Sequence, residues 1–394
     1  MKKILSLILC VVLCFGMIAT LASCSQNYTE NNTKVKIGLS GPLSGDASVY
    51  GKAVHNSAKL AVSEINALAK DKLGFEFEIV MVDDKHDPSL INANYAELFE
   101  GGMQISLGTV TTAPGLNYKS LSYDDNVFVL TPSASGDKIP ELDNAFQMCF
   151  ADSEQGTASA EFFNENYKGK TVGVFYKADD DYSKGIYSKF KAALDSSFDL
   201  KEASFKGEQS DFTQHVQNLK DCDVIFMPIY YTPASQFMTK GKDTIKDNAI
   251  YFGCDGLDGI DSMDGFDITK IPQEVSYLSH FNSGATDGAA ADYIEAYKDA
   301  YPNEPLNQFG AAAYDCVWAI YYALLAAKED GKEFNVTTSA SDYCDILKEV
   351  FTSNDFVYHG ITGKAKEDGK SDISWKESGL VNKDAVKYVV KEAD

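Results

Sequence analysis

The sequence predicts an α/β protein of two lobes, each a parallel sheet flanked by helices. Three observations predict it. Roughly 360 residues follow Lys34, more than a single hydrophobic core usually organises. Along them, short apolar runs alternate with amphipathic stretches, the pattern of strands buried on both faces between helices. The alternation runs through two cycles, after which the chain turns back on itself.

The elements follow in order. Val35–Leu39 is a β-rich run, and Val49–Lys70 then sets Val54, Ala58, Ala61, Val62 and Ile65 at helical spacing. Phe75–Val82 reads as the next strand and Pro88–Glu100 as the next helix. Gln104–Leu107, Ala113–Tyr123 and Val127–Leu130 repeat the cycle. The second cycle begins after Phe146–Phe150. It comprises helix Ser153–Tyr167, strand Thr171–Tyr176, helices Tyr182–Leu194 and Phe212–Leu219, strand Val224–Ile229, helix Ala234–Lys240 and strand Ile250–Gly253. Val275–Phe281 then leads to helices Asp287–Ala300 and Gln308–Ala327, whose apolar stretch Trp318–Ala327 has the length of a core helix and is too short to span a bilayer.

The leader sets the address. Lys2 and Lys3 precede a run from Ile4 to Ala22 without a charge, and Leu21-Ala22-Ser23-Cys24 follows. This is the form of a secretory signal peptide, and its ending resembles a bacterial lipobox. That resemblance implies cleavage before Cys24, lipid on Cys24, and a protein tethered at the outer face of the cell membrane. An uncleaved anchor is the alternative. Ser25–Thr33 is polar and reads as a flexible tether.

Charge and cysteine content narrow the function. The chain carries 35 basic and 58 acidic residues, and residues 1–23 hold two of the basic ones and no acid, leaving −25 beyond them. Such a surface disfavours nucleic acid and anionic bilayers. All 35 basic residues are Lys, so no guanidinium fork is available to clamp a carboxylate or phosphate. A bound acid must be met by Lys, hydroxyls, backbone amides or helix N-termini. Beyond Cys24, the cysteines Cys149, Cys222, Cys254, Cys316 and Cys344 are odd in number and widely spaced, which suggests buried free thiols. No cofactor is implied and no cysteine pair has zinc-ligand spacing.

In an open parallel sheet, ligands sit beyond the C-terminal ends of the strands. There the sequence supplies Ser40-Gly41-Pro42-Leu43-Ser44-Gly45-Asp46 with Tyr50, then Gly108-Thr109-Val110-Thr111-Thr112-Ala113, then Thr131-Pro132-Ser133-Ala134-Ser135. Helix caps account for about half of these hydroxyls; the surplus fits an anion cradle, and a carboxylate is the anion it can hold without Arg. In the second cycle, Ile229-Tyr230-Tyr231 and Gly253-Cys254-Asp255-Gly256 end strands. Asp255 could pair with an ammonium group or serve a turn, and the two tyrosines could line a site or fill core. Asp83, Asp84, His86 and Asp87 could bind a divalent metal; a strand end running into a capped helix at Pro88 is the preferred reading. None of the five histidines falls in the pocket loops, and no Gly-x-Ser-x-Gly elbow occurs, so catalysis is not expected.

Taken together, Ile37-Gly38 with Gly41–Gly45, Leu60-Ala61-Val62 with Glu64–Ala67, Asp83-Asp84 with Asp87-Pro88, Thr131–Ser135 and Asp211-Phe212 form an ordered series. In these, the chain from about Val35 onward resembles the type I periplasmic binding proteins, in the leucine/isoleucine/valine-binding branch serving ABC importers. The resemblance implies two lobes joined by three hinge crossovers, residues 34–148 with 282–356 and residues 149–281 with 357–394. It implies that Thr112, Ser133 and Ser135 hold a ligand carboxylate, that Asp255 holds an α-ammonium, and that Tyr231, or Tyr230, stacks beside it. Tyr50 and Phe309 fall where the side-chain pocket is lined, and Tyr182 on the opposing lobe. The implied function is capture of an amino acid, branched-chain or otherwise apolar, for delivery to an ABC permease by a monomeric, lipid-anchored protein. A sensor of the same fold, binding an aromatic or small amino acid or an amide and signalling to a partner, is the other function the fold admits.

Overall fold

A computed structural model of the chain describes residues 29–364, 366, 369–383 and 386–392. Residues 1–23, Cys24 and the tether up to residue 28, on which the signal-peptide and lipidation expectations fall, lie outside the described residues.

Val35–Gly41 (β1) is almost wholly buried, as a strand covered on both faces must be. It pairs in parallel with Phe77–Asp83 (β2) on one side and Ile105–Thr109 (β3) on the other. Val129–Thr131 (β4) and Ala145–Gln147 (β5) complete a five-stranded sheet of order β2-β1-β3-β4-β5. Three helices connect these strands: Ser48–Lys72 (α1), Ile91–Glu100 (α2) and Thr112–Asp124 (α3). In α1 the buried residues Tyr50, Val54, Ala58, Ala61, Val62 and Ile65 form one stripe, with Lys70 and Lys72 at the C-terminal end of the helix dipole.

The second sheet has the order β14-β10-β9-β8-β6-β7. Its strands are Val172–Lys177 (β6), Leu200–Phe205 (β7), Val224–Met227 (β8), Ile250–Gly253 (β9), Glu274–Ser279 (β10) and Val386–Lys391 (β14). All pairs are parallel except β10–β14. Helices Asp152–Asn166 (α4), Asp181–Ala193 (α5), Thr213–Leu219 (α6) and Tyr231–Gly241 (α7) belong to it. The fold class read from the sequence, parallel sheets flanked by helices, is the one observed.

After β10 the chain returns to the first sheet through Gly288–Ala300 (α8), Gln308–Glu329 (α9) and Ala340–Phe351 (α10). Among the described helices α9 alone is long and apolar enough to cross a membrane, and it is mostly buried as the core partner of α1. A Cβ on Gly310 would stand 2.7 Å from Ser57 Oγ and 3.0 Å from Ala53 O, so glycine is what lets the two helices approach. Three short antiparallel strands, Tyr358–Gly360 (β11), Ser371–Trp375 (β12) and Val381–Asn382 (β13), precede β14. The sequence reading places residues 357–394 with the second lobe. β14 pairs there, whereas the small sheet rests on the first: Trp375 Nε1 donates to Gln147 O at 2.8 Å, and the Trp375 ring lies 4.5 Å from that of Phe351.

Candidate ligand-binding cleft

Both sheets reverse their strand order once, β1 against β3 in the first and β6 against β8 in the second. Crevices at such switch points, beyond the strand C-termini, are where parallel sheets accept ligands. The two crevices face each other, because the loops that end their strands touch. Tyr50, three residues into α1 and 1% exposed, donates from its hydroxyl to Gly256 O at 2.6 Å and accepts from the Tyr231 amide at 3.3 Å. The Tyr231 hydroxyl in turn accepts from the Val49 amide at 3.3 Å, and Thr232 Oγ1 donates to Asp46 O at 2.9 Å.

The first sheet supplies hydroxyls. Thr112 opens α3, and its Oγ1 stands 3.4 Å from Ser135 Oγ, both buried. Ser135 also hydrogen-bonds the Asp152 carboxylate, so of the two Thr112 is the hydroxyl left with capacity for a further acceptor. Ser133 is otherwise engaged: its Oγ donates to Val110 O at 2.7 Å and so ties its own loop to the next one.

The second sheet supplies acid. Asp255 follows β9 and is 4% exposed; it accepts from Tyr182 Oη at 2.6 Å and from Gln155 Nε2 at 3.0 Å. Burial pushes its carboxyl up to about 6 despite those hydrogen bonds. The Tyr182 hydroxyl also accepts from the Gly256 amide at 2.8 Å, and a Cβ on Gly256 would lie 2.5 Å from it, so the Asp-Gly turn fits only without a side chain.

A second buried carboxylate stands within electrostatic reach of the first. Asp152, 2% exposed, opens α4; its Oδ1 has no hydrogen-bond partner, and burial pushes its carboxyl well above the usual range, with Asp255 adding to the effect. A Cβ on Gly185 would stand 3.2 Å from Asp152 Oδ2, so the small residue there leaves the carboxylate its space. Sequence reasoning missed Asp152, taking its position as the approach to a helix; one carboxylate beside Gln155, three residues on, was the available signal.

Of the two tyrosines after β8, Tyr230 is the one beside the acids. Its ring stacks on Tyr182 with centroids 4.4 Å apart and planes 12° apart, and the Thr112 amide hydrogen-bonds its hydroxyl. Tyr231, favoured by the sequence, instead begins α7 and packs edge-on against Tyr50 at 4.8 Å. Phe309 packs on the same Tyr50 ring at 4.7 Å. The structure therefore gathers Thr112, Ser135, Tyr182, Tyr230 and Asp255 at one place, keeps Ser133 in the loop behind them, and sets Tyr50, Tyr231 and Phe309 in a neighbouring aromatic cluster.

No histidine falls in the loops named from the sequence, but His86, from the turn after β2, reaches the cleft from outside them. His86 Nδ1 lies 2.8 Å from Thr111 Oγ1, and its ring meets Tyr230 edge-on at 5.1 Å. Lys85 and His86 both adopt left-handed backbone, φ 55° and 62°, which turns the ring back toward the cleft. Burial lowers the His86 imidazole to about 4, so it is neutral at physiological pH. The nearby acids serve the turn: Asp83 accepts from the Leu43 amide at 2.9 Å, Asp84 from the His86 amide at 2.9 Å, and Asp87 caps the turn at Pro88 through the Ser89 amide at 2.8 Å.

Residues 34–356 match the family model described as periplasmic binding protein. The chain belongs to that family. It is 25% identical to the Leu/Ile/Val-binding protein BraC3 of Rhizobium johnstonii over 354 residues, covering 88% of this chain and 93% of the relative. Among solved structures it is similar to the leucine binding protein LivK of Thermotoga maritima, with a TM-score of 0.75, 22% identity, and 91% and 95% of the two chains covered. A solute binding protein of an R. palustris ABC transporter, solved with benzoate, superposes with a TM-score of 0.74 at 15% identity over 91% and 93% of the chains. That family consists of periplasmic solute-binding proteins.

Proposed function

We propose that this binding protein captures the zwitterion of an α-amino acid between its two crevices and hands it to an ABC permease. Thr112 and Ser135, with the backbone amides of their loops, receive the carboxylate; Asp255, Asp152 and the Tyr182–Tyr230 stack receive the ammonium. The observation that carries this reading is the pair of buried carboxylates Asp152 and Asp255, which meets no basic side chain among its hydrogen-bond partners and is joined to the hydroxyl loop of Ser135 through Asp152. Buried carboxylates without a counter-charge cost several kcal/mol, and a ligand ammonium removes that cost.

The lobes run as residues 34–148 with 282–356 and the small sheet of β11–β13, and residues 149–281 with β14, so that closure brings both ligand ends into contact at once. Lipid on Cys24 holds the monomer at the outer face of the cell membrane and keeps it at high effective concentration beside its permease. BraC3 and LivK carry branched-chain amino acids in their names, which makes leucine, isoleucine and valine natural first ligands to assay. The benzoate complex supports a second reading, an aromatic acid held by the hydroxyl loops alone; it would leave the acid pair unanswered.

Thermal-shift and calorimetric screening of the purified full-length protein in detergent tests the proposal. An amino acid should stabilise it, and Asp255→Ala should weaken that binding at least about a hundredfold, the loss of a buried charge pair. If benzoates stabilise the protein and no amino acid does, the zwitterion reading fails. Cys24→Ala should release the exported protein from membranes; a variant that stays membrane-bound refutes the lipid anchor.

A further inference from the structure

The groups that would meet an amino acid are sealed in this structure. Thr112 and Ser135 are each 1% exposed, Asp152 2% and Asp255 4%. Nearby lies a cavity of about 370 Å³ walled by loops of both sheets, with Asp46 and His86 from the first and Lys177 and Phe205 from the second. None of the four site residues lines it. Tyr230 stands between the two: it forms part of the cavity wall, and it stacks on Tyr182 with centroids 4.4 Å apart.

Two contacts of Tyr230 fall on groups that a ligand needs. Its hydroxyl takes the amide hydrogen of Thr112, the first residue of α3. An amide there has no partner within its helix and lies at the positive end of the dipole, a ready site for a carboxylate. A neutral phenol is a weaker acceptor than an anion. The ring covers a face of Tyr182, whose hydroxyl donates to Asp255 at 2.6 Å. That face, beside a carboxylate, offers an ammonium both a cation–π contact and an ion pair. One side chain thus occupies the places of both charged ends of an amino acid.

Tyr230 is also the tyrosine best able to leave. Tyr50, Tyr182 and Tyr231 are at most 2% exposed, and hydrogen bonds to other loops fix each hydroxyl. Tyr230 is half-buried, with the cavity alongside it. It precedes the first turn of α7 with extended backbone, φ −70° and ψ 157°, so no preceding helical turn confines its χ1.

We propose that Tyr230 is a gate that holds the ligand's place. In the unliganded protein its hydroxyl occupies the Thr112 amide and its ring the face of Tyr182. An arriving amino acid takes both, and the ring swings about χ1 into the cavity. This rests on the zwitterion reading above and changes one part of it: Tyr182 meets the ammonium, and Tyr230 makes way.

Tyr230→Phe tests the gate, because it keeps the ring and removes the competing hydroxyl. Thermal-shift screening of the full-length parent and variant against the common amino acids finds the ligand. Calorimetry and stopped-flow fluorescence then compare the two proteins. The variant should bind about fivefold more tightly, the equivalent of one neutral hydrogen bond, with the gain in the association rate. Equal or weaker binding by the variant overturns the gate and leaves the zwitterion reading standing, since a tyrosine that only lines the site gives that result. Stabilisation of neither protein by any amino acid overturns the reading and the gate together. A crystal structure with the amino acid bound should show its carboxylate on the Thr112 amide; Tyr230 still hydrogen-bonded there overturns the gate.

Discussion

Replacing Asp255 by Asn should stabilise the unliganded protein and abolish tight ligand binding. The carboxyl stands at about 6 in the folded protein against an ordinary 3.8, because it is buried. Between those two values the folded protein holds a proton that the unfolded chain releases. The stabilisation from that proton is complete below about pH 4 and is lost as pH rises through 6. At pH 7.5 the ionised, buried group therefore costs about 3 kcal/mol relative to an unperturbed one, from roughly two pH units at about 1.4 kcal/mol each. Asn removes the charge and keeps an oxygen for the Tyr182 hydroxyl, 2.6 Å away. Its amide hydrogens then face Gln155 Nε2, which now donates at 3.0 Å, and that mismatch costs roughly 1 kcal/mol. The net gain is about 2 kcal/mol at pH 7.5, a rise of a few degrees in Tm, and it should vanish near pH 4. Thermal unfolding of both proteins, followed by circular dichroism at pH 7.5 and pH 4, measures it. An Asp255→Asn protein less stable than its parent at pH 7.5, or equally improved at both pH values, would refute the assignment of an unfavourable buried charge.

Ligand affinity should fall with acidification below about pH 6, approaching tenfold per pH unit, since an ammonium needs the ionised form of Asp255; calorimetric Kd values at pH 7.5 and 5 test this, and a flat profile counts against an Asp255–ammonium contact. Gly51→Ala should cost on the order of 3 kcal/mol, because its Cβ would stand 2.0 Å from the backbone oxygen of Pro42 at the start of the first crevice; urea unfolding with an unchanged midpoint would contradict that packing. Cys149, Cys222, Cys254, Cys316 and Cys344 are free and buried, and burial raises their thiols. None should react with an aromatic disulfide reagent in the native protein, and all five should react on unfolding; fewer than five after unfolding without reductant would reveal a disulfide.

The sequence exposed the sheets because their central strands are buried on both faces and so read as apolar runs between amphipathic helices. The edge strand β7 was not legible. Leu200–Phe205 places Lys201 and Glu202 in a half-covered strand, and its pairing with β6 is what defines it. Nor were β11 to β13, whose residues become strands only by pairing with each other beside β5. Helix α10 passed unread although Ser339 caps it by accepting the Asp342 amide at 3.1 Å. Within the cleft, Asp255 was legible because a strand end announces it. Tyr230 and Tyr231 could not be told apart, since adjacent residues at a helix start point about 100° apart and the strand end lies two residues earlier than its apolar run suggests. His86 was hidden by a left-handed turn that only the backbone shows.

The acid pair also explains why a cleft so tightly bridged need not stay shut without ligand. Four hydrogen bonds between the loops of Tyr50 and Tyr231 cross it: Tyr50 to Gly256 at 2.6 Å, the Tyr231 amide to Tyr50 at 3.3 Å, Val49 to Tyr231 at 3.3 Å, and Thr232 to Asp46 at 2.9 Å. At about 1 kcal/mol net each they favour contact by roughly 4 kcal/mol. Sealing Asp255 in its ionised state costs about the same, and Asp152 adds a further cost of the same sign. Near neutral pH the two sides are therefore close to balance, and opening is favoured to the extent that water returns to both carboxylates. An ammonium cancels the opposing side and leaves the crossing bonds standing. A swing of about 5.5 kcal/mol carries a two-state equilibrium from one part in a hundred to ninety-nine; relief of Asp255 supplies about 3 kcal/mol of that, and Asp152 adds in the same direction. Under the proposed function the charge of the ligand, more than its bulk, decides whether the cleft closes.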